Sequence, residues 1–147
     1  LNKIYSFLLS YIHYLINVIY LYEVNLYLKY KMENTFINKN SFDKRVQEPT
    51  NIKEKYTDRI PIIVEKHHTC NLPEIDKCKY LVPKDMTMSQ FIFVIRKRIK
   101  LNSNQALFIT INHSLVAANQ SIGDIYEDKQ NVDGFLYLVY TSENTFG

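Results

Sequence analysis

An α+β domain over residues 32–147, preceded by an apolar segment of different character, is what this 147-residue sequence predicts. Three observations carry that expectation. Residues 60–66 (IPIIVEK) form a β-branched run suited to a buried strand. Thr87-Met88-Ser89-Gln90 has the spacing of a helix capping box, and apolar residues follow it at helical intervals. Residues 134–141 (GFLYLVYT) are apolar enough for a central strand. Composition agrees with a folded domain: 46% hydrophobic and 22% charged residues, with only 3 Gly and 4 Pro, exclude global disorder and low-complexity classes. Two Cys are too few for a disulfide scaffold.

Residues 1–31 come first and stand apart. They hold 7 of the 12 tyrosines, and Lys3, Lys29 and Lys31 against Glu23 give them a net charge of +2. The remaining 116 residues carry only +1, so nothing electrostatic points to nucleic acid. Residues 4–22 are nineteen in a row without a formal charge, near the roughly 20 that span a bilayer. Ser6, Ser10, His13 and Asn17 dilute that run, its tyrosines prefer the membrane interface, and no small-residue cleavage site follows. Three readings stand open: a membrane or targeting segment, an amphipathic extension, and translated AT-rich sequence upstream of Met32. The last arises because nearly all these residues have codons writable with A and T alone, and Met32 is the first methionine.

The elements of the domain follow in order. Ser41 is placed to cap a helix through Phe42 and Val46, and a second short helical stretch is expected over residues 51–56. The strand at 60–66 comes next. Leu72-Pro73 marks a connection, and residues 77–83 (KCKYLVP) alternate as a second strand ended by Pro83. The capped helix places Phe91, Val94, Ile95 and Ile99 along one stripe. Residues 106–111 form a third strand, Asn112-His113 a turn, 121–128 a short helix capped by Ser121, and 134–141 the final strand. Without its two leading helices, this order is that of a ubiquitin-like β-grasp.

The residues themselves resemble a known family. Phe42-Asp43-Lys44-Arg45, Lys55-Tyr56, Asp58-Arg59-Ile60-Pro61, Lys79-Tyr80-Leu81-Val82-Pro83, Ile95-Arg96-Lys97-Arg98-Ile99, Asp133-Gly134-Phe135-Leu136-Tyr137 and Glu143-Asn144-Thr145-Phe146-Gly147 are similar to the GABARAP and autophagy-related protein 8 modifiers, across residues 32–147. The resemblance implies that the chain is itself no enzyme and uses no cofactor. It implies further that an activating enzyme would adenylate Gly147, which would pass as a thioester to a conjugating enzyme and then to the amine of phosphatidylethanolamine. A cysteine protease would delipidate the product. With Gly147 last in the sequence, no priming cut is expected. The implied location is the cytoplasm and the autophagosome or another vesicle membrane, with a relict plastid membrane also conceivable. The competing reading is a non-covalent peptide-binding adaptor anchored through residues 1–31.

The resemblance also implies a surface for peptides of the form aromatic-x-x-aliphatic, carried by cargo receptors. Such a peptide adds a strand at residues 79–82, with pockets on either side. The aromatic pocket would comprise Glu48, Ile52, Pro61, Lys79, Leu81 and Phe135. The aliphatic pocket would comprise Tyr80, Val82, Pro83, Met86, Phe91 and Val94. Arg59, Lys77 and Arg98 would meet acidic residues flanking the motif. On periodicity alone, Ile52, Leu81, Phe91 and Val94 read as core.

Three departures from the family stand out. Thr57 occupies a usual proline position, Cys78 a common lysine position, and Val116-Ala117 replace paired prolines, which suggests a looser loop. His67, His68, Cys70 and Cys78 match no standard zinc spacing, and no partner orients a catalytic Cys/His pair. They are expected to be ordinary residues with reduced thiols.

Overall fold

The computed structural model describes residues 2–33, the last six by backbone alone, and 35–142. Helix α1 (Asn2–Glu33) leads into a short α2 (Phe36–Lys39) and then α3 (Phe42–Lys55). Strands β1 (Arg59–Lys66) and β2 (Lys79–Pro83) precede α4 (Met88–Arg98). The chain continues through β3 (Phe108–Ile111), β4 (Ser114–Leu115), α5 (Ile122–Lys129) and β5 (Leu136–Thr141). The strands form one sheet in the order β2-β1-β5-β3-β4. Only β1 and β5 run parallel, while the β1–β2, β3–β5 and β3–β4 pairs are antiparallel. This is the expected ubiquitin-like arrangement, with β5 inside the sheet.

Alternation on the strands explains which face carries the core. Ile60, Ile62 and Val64 of β1 and Leu136, Leu138 and Tyr140 of β5 point to one side. There they meet Met88, Phe91 and Ile95 from α4, Ile99 at its C-terminal cap, and Ile122, Ile125 and Tyr126 from α5. The helices take their starts from the expected caps. Thr87 and Gln90 form the full reciprocal capping box, and Ser121 accepts from the Asp124 amide at 3.1 Å. Ile63 and Phe135 point the other way and form a second, smaller cluster with Phe36. That face is covered by α2 and α3.

Several boundaries differ from those expected, each for a local reason. The two helical stretches before β1 are one helix, α3, which runs through Pro49. Proline forfeits a single ladder bond there, to the Arg45 carbonyl, and its ring is buried instead. A Cβ on Gly134 would lie 3.0 Å from the Pro49 Cβ, so glycine is what lets this pair approach. Gly134 also has φ of +89°, which belongs to a turn and starts β5 two residues later than expected. The sequence pattern missed α2 and β4, which span four and two residues. Val94 leaves the core stripe and stands 38% exposed. The loop after β4 is anchored at its far end, where the Met88 and Ser89 amides donate to the Gln120 and Ala118 carbonyls at 2.9 and 2.8 Å. The Asn112-His113 turn is present, with both residues at positive φ.

Helix α1 is long and exposed. Its segment Asn2–Tyr27 has a mean hydropathy of 1.5 and buries no side chain. Apolar residues surround the whole circumference, so an amphipathic stripe does not describe it.

Candidate functional site

Strand β2 is the sheet edge, bonded to β1 alone among the described strands. An edge strand offers a row of backbone donors and acceptors to an added strand. Pleating sends Lys79 and Leu81 to the α3 side of the sheet, and Tyr80 and Val82 to the α4 side. The two residue sets implied by resemblance therefore flank one edge.

On the α3 side, the register places Leu81 opposite Pro61 and Lys79 opposite Ile63. Glu48 and Ile52 lie one turn apart on α3 and are both half-buried. The Lys79 ammonium reaches Glu48 at 2.9 Å from each carboxylate oxygen. Pro61 is buried, and Phe135 is only 1% exposed beneath the cluster. Leu81, at 39%, is the apolar member most open to solvent.

On the α4 side, Tyr80 packs edge-on against Phe91 with ring centres 5.5 Å apart. Val82 and Phe91 are given almost wholly to the core, at 4% and 1% exposure. Met86, Pro83 and Tyr80 are half-buried around them, and Val94 is exposed. The Tyr80 hydroxyl is buried without a hydrogen-bond partner among the described residues. Burial raises its pKa above the ordinary value, with Arg98 acting against the shift.

The three basic residues gather at the rims. Arg98 donates to Asp76 at 2.7 Å, a bond that holds the Asp76 carboxyl below its ordinary range. The Lys77 ammonium sits 5.7 Å from the centre of the Tyr80 ring. Arg59 lies opposite Pro83 and near Asp58.

The remaining candidates fall elsewhere. Cys70 is buried, with its thiol 3.6 Å from the Ser142 hydroxyl, and Cys78 is half-buried. His67 and His68 stack at 4.4 Å. Residues 143–147, Gly147 included, lie outside the described residues. Two groups escaped sequence reasoning. Asp133 is buried and accepts from Arg45, from the Tyr137 hydroxyl at 2.7 Å and from the Phe135 amide at 3.1 Å, joining α3 to β5. Burial, reinforced by the bond to Asp133, drives the Tyr137 pKa upward. Phe36 is the other, an aromatic just inside a Thr-capped turn; that cap was the legible signal.

Comparison with known proteins gives a consistent result. The sequence profile described as autophagy protein Atg8, ubiquitin-like, matches residues 44–147. The chain is 53% identical over 108 residues to autophagy-related protein 8e of Arabidopsis thaliana, covering 74% of this chain and 88% of that one. It is 50% identical over 116 residues to autophagy-related protein 8 of Mycosarcoma maydis, covering 79% and 98%. The crystal structure of Trypanosoma brucei ATG8 superposes with a TM-score of 0.72 at 38% identity, over 78% of this chain and 98% of that one.

Proposed function

The chain belongs to the Atg8 family of ubiquitin-like autophagy proteins, and from that premise we propose that it is a modifier joined through Gly147 to phosphatidylethanolamine. The observation that carries the reading is the family match running through Gly147, beyond the end of β5. Glycine suits the chemistry because the absent Cβ lets a carboxylate enter a narrow channel. An activating enzyme would join that carboxylate to the α-phosphate of ATP, releasing pyrophosphate. A thiolate would displace AMP, a second thiolate would take the acyl group, and the lipid amine would displace that thiolate to form an amide. The chain supplies the acyl group and not the catalysis. A cysteine protease would reverse the last step by hydrolysis.

Once on an autophagosome or other vesicle membrane, the domain would recruit cargo receptors through β2. An incoming strand would bond to residues 79–82, with its aromatic side chain on the α3 side and its aliphatic one on the α4 side. Acidic flanks would meet Arg59, Lys77 and Arg98. Leu81→Ala should weaken a Trp-x-x-Leu peptide by at least about 1 kcal/mol in calorimetry, as expected of a central pocket residue. Unchanged affinity would remove Leu81 from the site.

A second reading has its own support in α1. Asn2–Tyr27 measures about 39 Å as a helix, enough to cross a bilayer. It would anchor the domain without lipidation. The two readings separate in cells: Gly147→Ala should abolish the membrane-bound form under the first, and deletion of residues 1–31 should abolish it under the second.

A further inference from the structure

The peptide edge has a neighbour that the family resemblance did not bring in. Phe36 of α2 stands edge-on to Phe135 with ring centres 5.4 Å apart, and 6.4 Å from the Tyr137 ring. The Lys79 ammonium lies 5.5 Å above the centre of the Phe36 ring while paired to Glu48. Two of the six residues assigned to the aromatic pocket are thus already engaged with an aromatic ring of the same chain. The register explains the position. Lys79, Ile63 and Tyr137 form one row across the sheet, next to the row of Leu81 and Pro61, and Phe36 covers the first row where it borders the second. Phe36 is 7% exposed and Phe135, against which it packs, 1%.

We propose that Phe36 is an internal occupant of the aromatic side of the groove, positioned by Glu65, and that a bulky peptide aromatic reaches Phe135 only when α2 leaves. The inference rests on the peptide-binding reading for its purpose but not for its geometry. The fastening is small enough to release. A four-residue helix has no stability of its own. Its first amide, that of Phe36, donates to the Glu65 carboxylate at 2.7 Å, and the Asn40 side chain donates to the Phe36 carbonyl at 2.9 Å. Burial raises the pKa of Glu65 despite that bond and the nearby Lys39, so the carboxylate is held there at a cost in hydration. The Phe36 ring and the Glu65 carboxylate fasten the element to the sheet. Phe36 takes up the edge-to-face and cation contacts that an incoming indole would make.

The test uses the full chain and two probes. Indole alone is titrated into the wild type, Phe36→Ala and Glu65→Ala while NMR signals of Phe135 and Leu81 are followed. Both variants should bind indole about fivefold or more tighter than the wild type, because the open state no longer has to be populated first. Glu65→Gln keeps an acceptor and should behave as the wild type. Equal indole binding by all four chains, or binding by none, overturns the proposal. A Trp-x-x-Leu peptide forms the second arm, and its affinity should rise by a similar factor in Phe36→Ala. Failure of every chain to bind peptide would remove the receptor-binding reading, and the indole arm would still decide on Phe36.

Discussion

Asp133 shows how much can depend on one side chain. It is 1% exposed and serves Arg45, Tyr137 and the Phe135 amide together, so it binds α3 to the strand that leads toward the tail. Removing one partner of a buried ion pair strands the other, so Asp133→Ala should cost about 3–5 kcal/mol, read as a lowered urea midpoint. Residue chemistry also sets a pH response. Burial, then the charges of His68 and His113, depress the pKa of His67 below its ordinary value of 6.5. The folded state therefore binds fewer protons there than the unfolded chain. The stability this provides is complete above about pH 6.5 and is lost as pH falls through the depressed folded value. Asp76 follows the same sign in a lower window, because Arg98 holds its carboxyl below the ordinary 3.8. Glu65 opposes them: its raised pKa favours the folded state at low pH, and that gain is lost as pH rises through its folded value. Melting temperature followed from pH 8 to pH 5 should fall less in His67→Gln than in the wild type; parallel curves would contradict the assignment.

At the level of elements, the long periodic pieces were legible and the short ones were not. The α4 capping box, the β-branched β1 and the apolar β5 each rest on a local rule that the tertiary structure reinforces. Thr87→Ala should cost about 1 kcal/mol by thermal unfolding, because the Gln90 amide loses its acceptor. What sequence reasoning missed depends on contacts distant along the chain. Pro49 reads as a helix break until Gly134 is seen to make room for it. The four residues of α2 are helical because Thr35 caps them, Glu65 accepts their first amide and Phe36 finds Phe135. Periodicity assigned Phe91 and Ile95 correctly to the core but included Val94, which turns outward beside Phe93. The candidate site lies across this divide. Its edge strand was visible as an alternating segment, whereas the division of Lys79 and Leu81 from Tyr80 and Val82 acquires meaning only once α3 and α4 occupy opposite faces.

Across the whole molecule, two routes to a membrane stand at opposite ends of the sequence. Helix α1 has the length and composition to cross a bilayer, and Gly147 is the residue proposed above to take a lipid amine. The profile match begins at residue 44 and includes Gly147, so the family relationship favours the C-terminal route. With α1 present, the purified chain should partition into phosphatidylcholine vesicles without any enzyme, and a chain starting at Met32 should stay in the supernatant on flotation. Retention of the shorter chain on vesicles would contradict the membrane role of α1. The proposed covalent attachment is at the other end. Mass spectrometry of the C-terminal peptide from the membrane pellet of cells expressing the native protein tests it most directly. Conjugation should add a phosphatidylethanolamine mass localised to Gly147, removable by a delipidating protease and absent from Gly147→Ala. A membrane-bound chain whose Gly147 is a free carboxylate would contradict it.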